Sequence, residues 1–263
     1  SHFLPNTTLQ QIIQLYRFDS TLRSLVMEAI ERVEIAFRAS ISNHMSPKYG
    51  AHWYLNKVHF KNTDQHEHLL KELEKKRETE QTHYQREVQR INKSRTHHTI
   101  KNKRTEQRKR DNYFRYYSHT YETPELPPAW AILEELSLGV LSRLYKNIAL
   151  DRDKKAIASR FQQPHEVLGS WLHTLTFIRN ICAHHARLWN RELAVSPKIP
   201  KKWPNNQNSA NKRLFIVLSM LTDLTQKIAP DCQWKQKMND LLTQSSTVST
   251  ISMGFPEKQR QLY

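Results

Sequence analysis

Trp171-Leu172-His173-Thr174-Leu175-Thr176-Phe177-Ile178-Arg179-Asn180-Ile181-Cys182-Ala183-His184-His185-Ala186-Arg187-Leu188-Trp189-Asn190-Arg191 is the stretch on which the reading of this chain turns. Leu168, Trp171, Leu175, Ile178 and Cys182 recur at spacings of three and four, which predicts a helix with one apolar stripe. The same stretch crowds Arg179, Asn180, His184, His185, Arg187, Asn190 and Arg191 into about four turns. A helix that only anchors a core needs no such density of cationic and proton-exchanging groups, so these residues form a candidate site.

The helical period continues outward on both sides. Leu22, Leu25, Val26, Ala29, Ile30, Val33, Ala36, Phe37 and Ile41 predict a long helix buried along one side. Thr7 or Thr8 is placed to cap a first helix through Leu15-Tyr16, Asp19 or Ser20 to start the long one, and Pro47 and Gly50 to end it. Ile132 to Tyr145 read as a kinked pair around Ser137-Leu138-Gly139, Leu214 to Ile228 as a strongly apolar helix, and Trp234 to Leu242 as another. Only four glycines occur, Gly-rich phosphate loops are missing, and no alternating strand pattern appears. The expected fold class is therefore all-α.

Asn62, Thr63 or Asp64 opens a very polar helix in which Glu72, Glu74, Lys75, Lys76, Arg77 and Glu78 mix both signs, as on a projecting helix laced by salt bridges. A basic run follows, where Lys93, Arg95, Lys101, Lys103, Arg104, Arg108, Lys109, Arg110 and Arg115 face only Glu106 and Asp111, and its arm centres on Lys101 to Arg110. Tyr113, Phe114, Tyr116, Tyr117 and Tyr121 come next. Cations neutralise phosphates and aromatic faces stack on unpaired bases, which makes the arm a candidate RNA contact; the aromatics read equally as core. The chain thus divides into 1–60, the first part of a helical domain; 61–112, the charged projection and arm; and 113–263, the remainder with the Arg179–His184 motif.

The 263 residues carry a net charge of +16, which points to a polyanion: nucleic acid first, an anionic membrane surface second. Cys182 and Cys232 form neither a disulfide framework nor a zinc quartet, in keeping with a reducing cytoplasm. No signal peptide and no run of about 20 apolar residues occurs, so no membrane partner is expected and the expected location is cytoplasmic.

Arg179-Asn180-x-x-x-His184 resembles the Arg-polar-x3-His signature of HEPN-type ribonucleases. The longer string from Ile178 to Arg191 resembles the hallmark of the AbiD/AbiF-like abortive-infection family of bacterial phage defence. Three further stretches resemble the same family: Leu15-Tyr16-Arg17-Phe18-Asp19-x-x-Leu22-Arg23 with Ile30 to Ile35 and Arg38; Pro124-x-Leu126-Pro127-Pro128-x-Trp130 with Glu134 to Gly139; and Ile251-x-Met253-Gly254-Phe255-Pro256. The resemblance implies a HEPN-like helical bundle, an RNA substrate, a homodimer with two motifs around one phosphate, and a further N-terminal region ahead of Ser1. It also implies a regulatory noncoding RNA for some members.

The chemistry of the residues fits that expectation. If RNA is the substrate, its 2′-hydroxyl attacks the adjacent phosphorus, a base takes the hydroxyl proton, and an acid protonates the departing 5′-oxygen. His184 suits proton transfer because an imidazole changes protonation near neutral pH. Arg179 suits the charged phosphorane because its planar fork donates two bonds to phosphate oxygens, and Asn180 can orient either group. His185, Arg187 and Arg191 are candidate RNA contacts. No dense carboxylate cluster accompanies them, so neither metal nor other cofactor is expected. Arg38 and His44 form a possible second half-site at Arg-x5-His spacing. Two other readings stand beside this endoribonuclease: a non-catalytic RNA-binding module associated with a structured noncoding RNA, and a protein-interaction domain. In a purely structural reading, Arg179 holds its helix to Glu134 or Glu135.

Overall fold

A computed structural model of the protein describes residues 8–201, 203, 212–245, 248–256 and 261–262. The chain is all-α: no strand occurs among the described residues, and the one β-bridge joins Phe60 to Ile148. In chain order the helices are α1 (Leu9–Tyr49), α2 (Thr63–Lys93), α3 (His98–Arg110), α4 (Tyr113–Ser118), α5 (Ala129–Glu135), α6 (Leu138–Asn147), α7 (Asp151–Ser159), α8 (His165–Ala183), α9 (Leu214–Ile228) and α10 (Trp234–Gln244). They belong to two compact units, one of residues 1–40 and 154–263, the other of residues 41–153.

The expected pair of helices before residue 50 is one helix, α1. Its start is a reciprocal cap: Gln11 N–H donates to Thr8 Oγ1 at 3.2 Å, and Thr8 N–H donates to Gln11 Oε1 at 2.9 Å. The alternative cap, Thr7, lies outside the described residues. Asp19 does not start a new helix, because its side chain turns inward and pairs with Arg23 one turn on, both buried. Phe18, Leu22, Val26, Ile30, Val33, Phe37, Ile41 and Met45 form an unbroken buried stripe that holds the helix straight through. Pro47 lies inside the last turn rather than ending it. The chain leaves the helix at Gly50, whose φ of +90° is the left-handed conformation that glycine adopts at no steric cost.

In the first unit, α8 and α9 pack together, and Trp171 and Trp234 are fully buried. Each indole finds a backbone acceptor: Trp171 Nε1–H donates to Lys198 O at 2.9 Å, and Trp234 Nε1–H to Leu25 O at 2.6 Å. No helix among the described residues is long and apolar enough to cross a membrane.

In the second unit, Asn62 caps α2 by accepting Gln65 N–H at 2.8 Å, and Ser137 caps α6 by accepting Val140 N–H at 3.4 Å, where the kinked pair was expected. Helix α2 packs on α3, α4 and α6 but buries only His66, Leu69, Leu73 and Tyr84. The basic arm is a helix, α3, with no buried residue. Arg115 ties this group together; its guanidinium is 10% exposed and donates to Glu80 at 2.9 Å and to Glu87 at 3.4 Å. That cation, which in sequence belongs to the basic run, is committed to carboxylates.

Asp153 is the ionic hub of the same unit. It is 2% exposed and accepts from His44 Nε2 at 2.9 Å, from the Tyr49 hydroxyl at 2.7 Å, and from Lys48. Burial pushes its carboxyl upward, but the bonds from Lys48, His44 and Tyr49 outweigh burial and hold it at about 2. A carboxylate depressed in the folded state adds stability that is present above its unfolded value and is lost as pH falls through the folded one. The stability difference between wild type and Asp153→Asn is expected to be about 2 kcal/mol at neutral pH, shrinking from pH ~4 down to pH ~2. Urea unfolding at several pH values measures it, and a difference that stays constant over that window contradicts the assignment.

Candidate active site

Helix α8 does not run through Arg191; it ends at Ala183. The ending is a Schellman turn. His184 is the C-cap, His185 N–H donates to Cys182 O at 3.0 Å, and Ala186 N–H donates to Ile181 O at 3.1 Å. His185 occupies the left-handed position with φ +53°, where glycine is usual. The residues from Ala186 onward therefore leave the helix direction, and His185 is not a helical neighbour of His184 on a continuing α8. Arg179, Asn180 and His184 remain grouped in and just after the last turn, with His184 N–H on Asn180 O at 3.0 Å. All three are exposed, as are His185 and Arg187, while Arg191 is half-buried with its guanidinium on Arg187 O at 3.1 Å.

The segment after the turn is fastened by a residue that sequence reasoning assigned to a helix cap. Asp19 Oδ1 accepts Leu188 N–H at 3.0 Å and Trp189 N–H at 2.6 Å, while its other oxygen takes Arg23. Leu188 is fully buried. The i,i+4 pairing of Asp19 with Arg23 was visible as a spacing, but its two backbone donors lie far along the chain and leave no local signal. Cys182 is buried at the same end of α8, and burial pushes its thiol up to about 12, with Arg23 lowering and Asp19 raising it to a smaller degree.

Arg179 lines a groove of about 630 Å³ whose other wall is α1. Glu28, Glu31, Glu34 and Arg38 line it too, three and four residues apart on one face of α1, together with Ile35, which is 57% exposed. Arg38 pairs with Glu34, and Glu28 pairs with Arg32 at 3.1 Å. Among the described residues, neither Arg179 nor Glu31 forms an ion pair. Arg179 thus shares its groove with carboxylates of α1 without pairing with them; Glu135, one of the two acids suggested by sequence, takes Lys76 at 2.5 Å. Of the proposed second half-site, Arg38 lines this groove, whereas His44 is engaged by Asp153 in the second unit.

The arm residues are sorted by the fold. Lys101 donates to Asn92 O at 2.7 Å, Arg108 pairs with Asp111 at 3.1 Å, and Lys109 lies 3.6 Å from Glu106. Lys103, Arg104 and Arg110 are exposed and, among the described residues, in no ion pair. Among the described residues, no group of three or more His, Cys, Asp or Glu side chains is placed to hold a metal ion.

A family model described as Abi-like protein matches residues 1–190, a span that holds α1 and the whole of the α8 motif. No curated protein and no solved structure matches the chain.

The turn makes a sharp stability prediction. A β-branched residue is strained in the left-handed conformation by roughly 1–2 kcal/mol, and glycine is not. Thermal unfolding should therefore place His185→Gly within about 1 kcal/mol of wild type and His185→Val about 1–2 kcal/mol below His185→Gly. Equal stabilities of the two variants would mean that residue 185 is not held at positive φ.

Proposed function

Because the chain belongs to the Abi-like protein family, we propose that it is an RNA-cleaving effector of abortive infection, the phage-defence response that the family suggests. The observation that carries this reading is the grouping of Arg179, Asn180 and His184 at the exposed end of α8, just ahead of the segment that Asp19 fastens. The 2′-oxygen of RNA attacks phosphorus, the P–O5′ bond breaks, and a new O2′–P bond closes a cyclic phosphate. Protons leave the 2′-hydroxyl for a base and reach the 5′-oxygen from an acid. His184 takes one of these roles, Arg179 holds the phosphorane oxygens, and Asn180 orients them. No step uses a metal. The fold around this site is read as HEPN-like on the strength of the Arg-Asn-x3-His motif.

His184→Ala should reduce RNA cleavage by ~10²–10⁴-fold with little change in fold or RNA affinity. Arg179→Ala should stop cleavage and also weaken binding, since a guanidinium grips phosphate before reaction as well. Products should carry a 2′,3′-cyclic phosphate and a 5′-hydroxyl, and DNA or 2′-O-methyl RNA should stay whole. Full activity in His184→Ala, or cutting of DNA, sinks the mechanism.

One motif supplies one strong acid–base group, so the reaction calls for a homodimer in which two copies of the motif share one phosphate. Light scattering should report a dimer, alone or with RNA. A monomer in both conditions would remove the two-copy site and turn attention to Arg38 and His44 as the second half-site.

A second reading, a non-catalytic RNA-binding module, is favoured by one observation: three glutamates share the groove with Arg179 and repel phosphate there. In that reading a structured RNA, including a regulatory noncoding one, is held elsewhere on the chain, and His184→Ala changes nothing. A cytoplasmic location goes with either reading.

A further inference from the structure

Tyr113, Tyr117 and Tyr121 follow one another at intervals of four residues, along α4 and just beyond it, and their rings form a row. Ring centroids are 6.2 Å apart between Tyr113 and Tyr117 and 4.9 Å apart between Tyr117 and Tyr121, with interplanar angles of 31° and 35°. The middle ring is core: Tyr117 is 5% exposed, and its hydroxyl lies 3.2 Å from His52 Nε2. The outer two are not, with Tyr113 at 40% and Tyr121 at 49% exposure. Burial pushes the Tyr113 and Tyr117 phenols upward, and the neighbouring phenols add to it, so both are neutral near pH 7 and do not repel an anion.

Helix α3 leads directly into this row. It buries nothing, so its exposed cations have no packing duty, and Lys103, Arg104 and Arg110 are in no ion pair among the described residues. The adjacent Arg115 and Arg108 are taken by Glu80, Glu87 and Asp111. Unpaired positive charges on a helix that packs on α4, followed by exposed aromatic rings, are the combination that grips a sugar–phosphate backbone and its unstacked bases together. We infer that α3 and the tyrosine row form a binding site for unpaired RNA, with phosphates on Lys103, Arg104 and Arg110 and bases stacked on Tyr113 and Tyr121. This rests on the reading of the protein as one that acts on RNA. It adds that the strand held here is single-stranded, a loop or an end, because a duplex keeps its bases stacked inside and offers the rings nothing.

The test is fluorescence anisotropy with the full chain carrying His184→Ala, so that the probe stays whole. The probe is a labelled RNA of about 16 nucleotides, used as a single strand and annealed to its complement. At about 0.15 M salt the single strand should bind at least ~10-fold more tightly than the duplex. Tyr113→Ala and Tyr121→Ala should each weaken single-strand binding roughly tenfold and leave duplex binding unchanged, while the Phe variants retain wild-type affinity. Replacing Lys103, Arg104 and Arg110 with Glu should weaken both, lowering the salt slope by roughly 0.7 per lost contact on the single strand. Equal affinity for both RNA forms with silent Tyr→Ala variants overturns the inference and leaves RNA cleavage standing. Displacement of the RNA by polyglutamate at equal charge concentration also overturns it, since charge alone would then suffice. Binding of neither RNA form overturns the inference together with the RNA reading on which it rests.

Discussion

One buried carboxylate, Asp19, sets where the motif segment goes. It receives the Arg23 guanidinium and the N–H groups of Leu188 and Trp189, so its charge is fully engaged although its surroundings are buried. A buried charge is tolerated only under those conditions, and removing Arg23 leaves an uncompensated ion. The chain therefore has one way to leave α8. The Schellman turn at His184 and His185 reverses it, Leu188 drops into the core, and Asp19 receives the next two amides. The anchor fixes the segment that directly follows the exposed Arg179, Asn180 and His184.

The helices were legible because their signals are local. A stripe at spacings of three and four writes α8 and α9 into the sequence, and Asn62 and Ser137 cap where side chains of their type cap. What could not be read were outcomes decided elsewhere in the chain. Asp19-Ser20 has the composition of a helix start, but tertiary burial of the Asp19–Arg23 pair overrides that preference and keeps α1 whole. The end of α8 was misplaced because its left-handed residue is His185 rather than glycine, and only hydrogen bonds reveal it. The motif residues themselves were legible from their types. The carboxylates that line the groove with Arg179 were not, since Glu31 and Glu34 look like ordinary solvated positions of an amphipathic helix.

Charge tells a similar story. The net +16 says that a polyanion is a plausible partner but not where it would be held. The fold answers by pairing. Arg115, Arg108, Arg77, Lys76 and Lys48 are held by carboxylates, mostly in bridges whose own contribution to stability is small. Their more visible effect is to subtract those cations from the surface. Lys103, Arg104, Arg110 and Arg179 are among the cations in no ion pair among the described residues, three on a helix that contributes nothing to the core and one in a groove with carboxylates.

The two cysteines divide along a line useful at the bench. Cys182 lies buried under the turn with its thiol pushed up to about 12, so it holds almost no thiolate at neutral pH. Cys232 is half-buried beside Asp231 and Gln233, at the approach to α10. A maleimide added to the native protein thus has one accessible thiol, and a fluorophore or spin label can be attached there without removing the other cysteine. Labelling of Cys182 would then report something different: the opening of the end of α8, observed as a rate of alkylation.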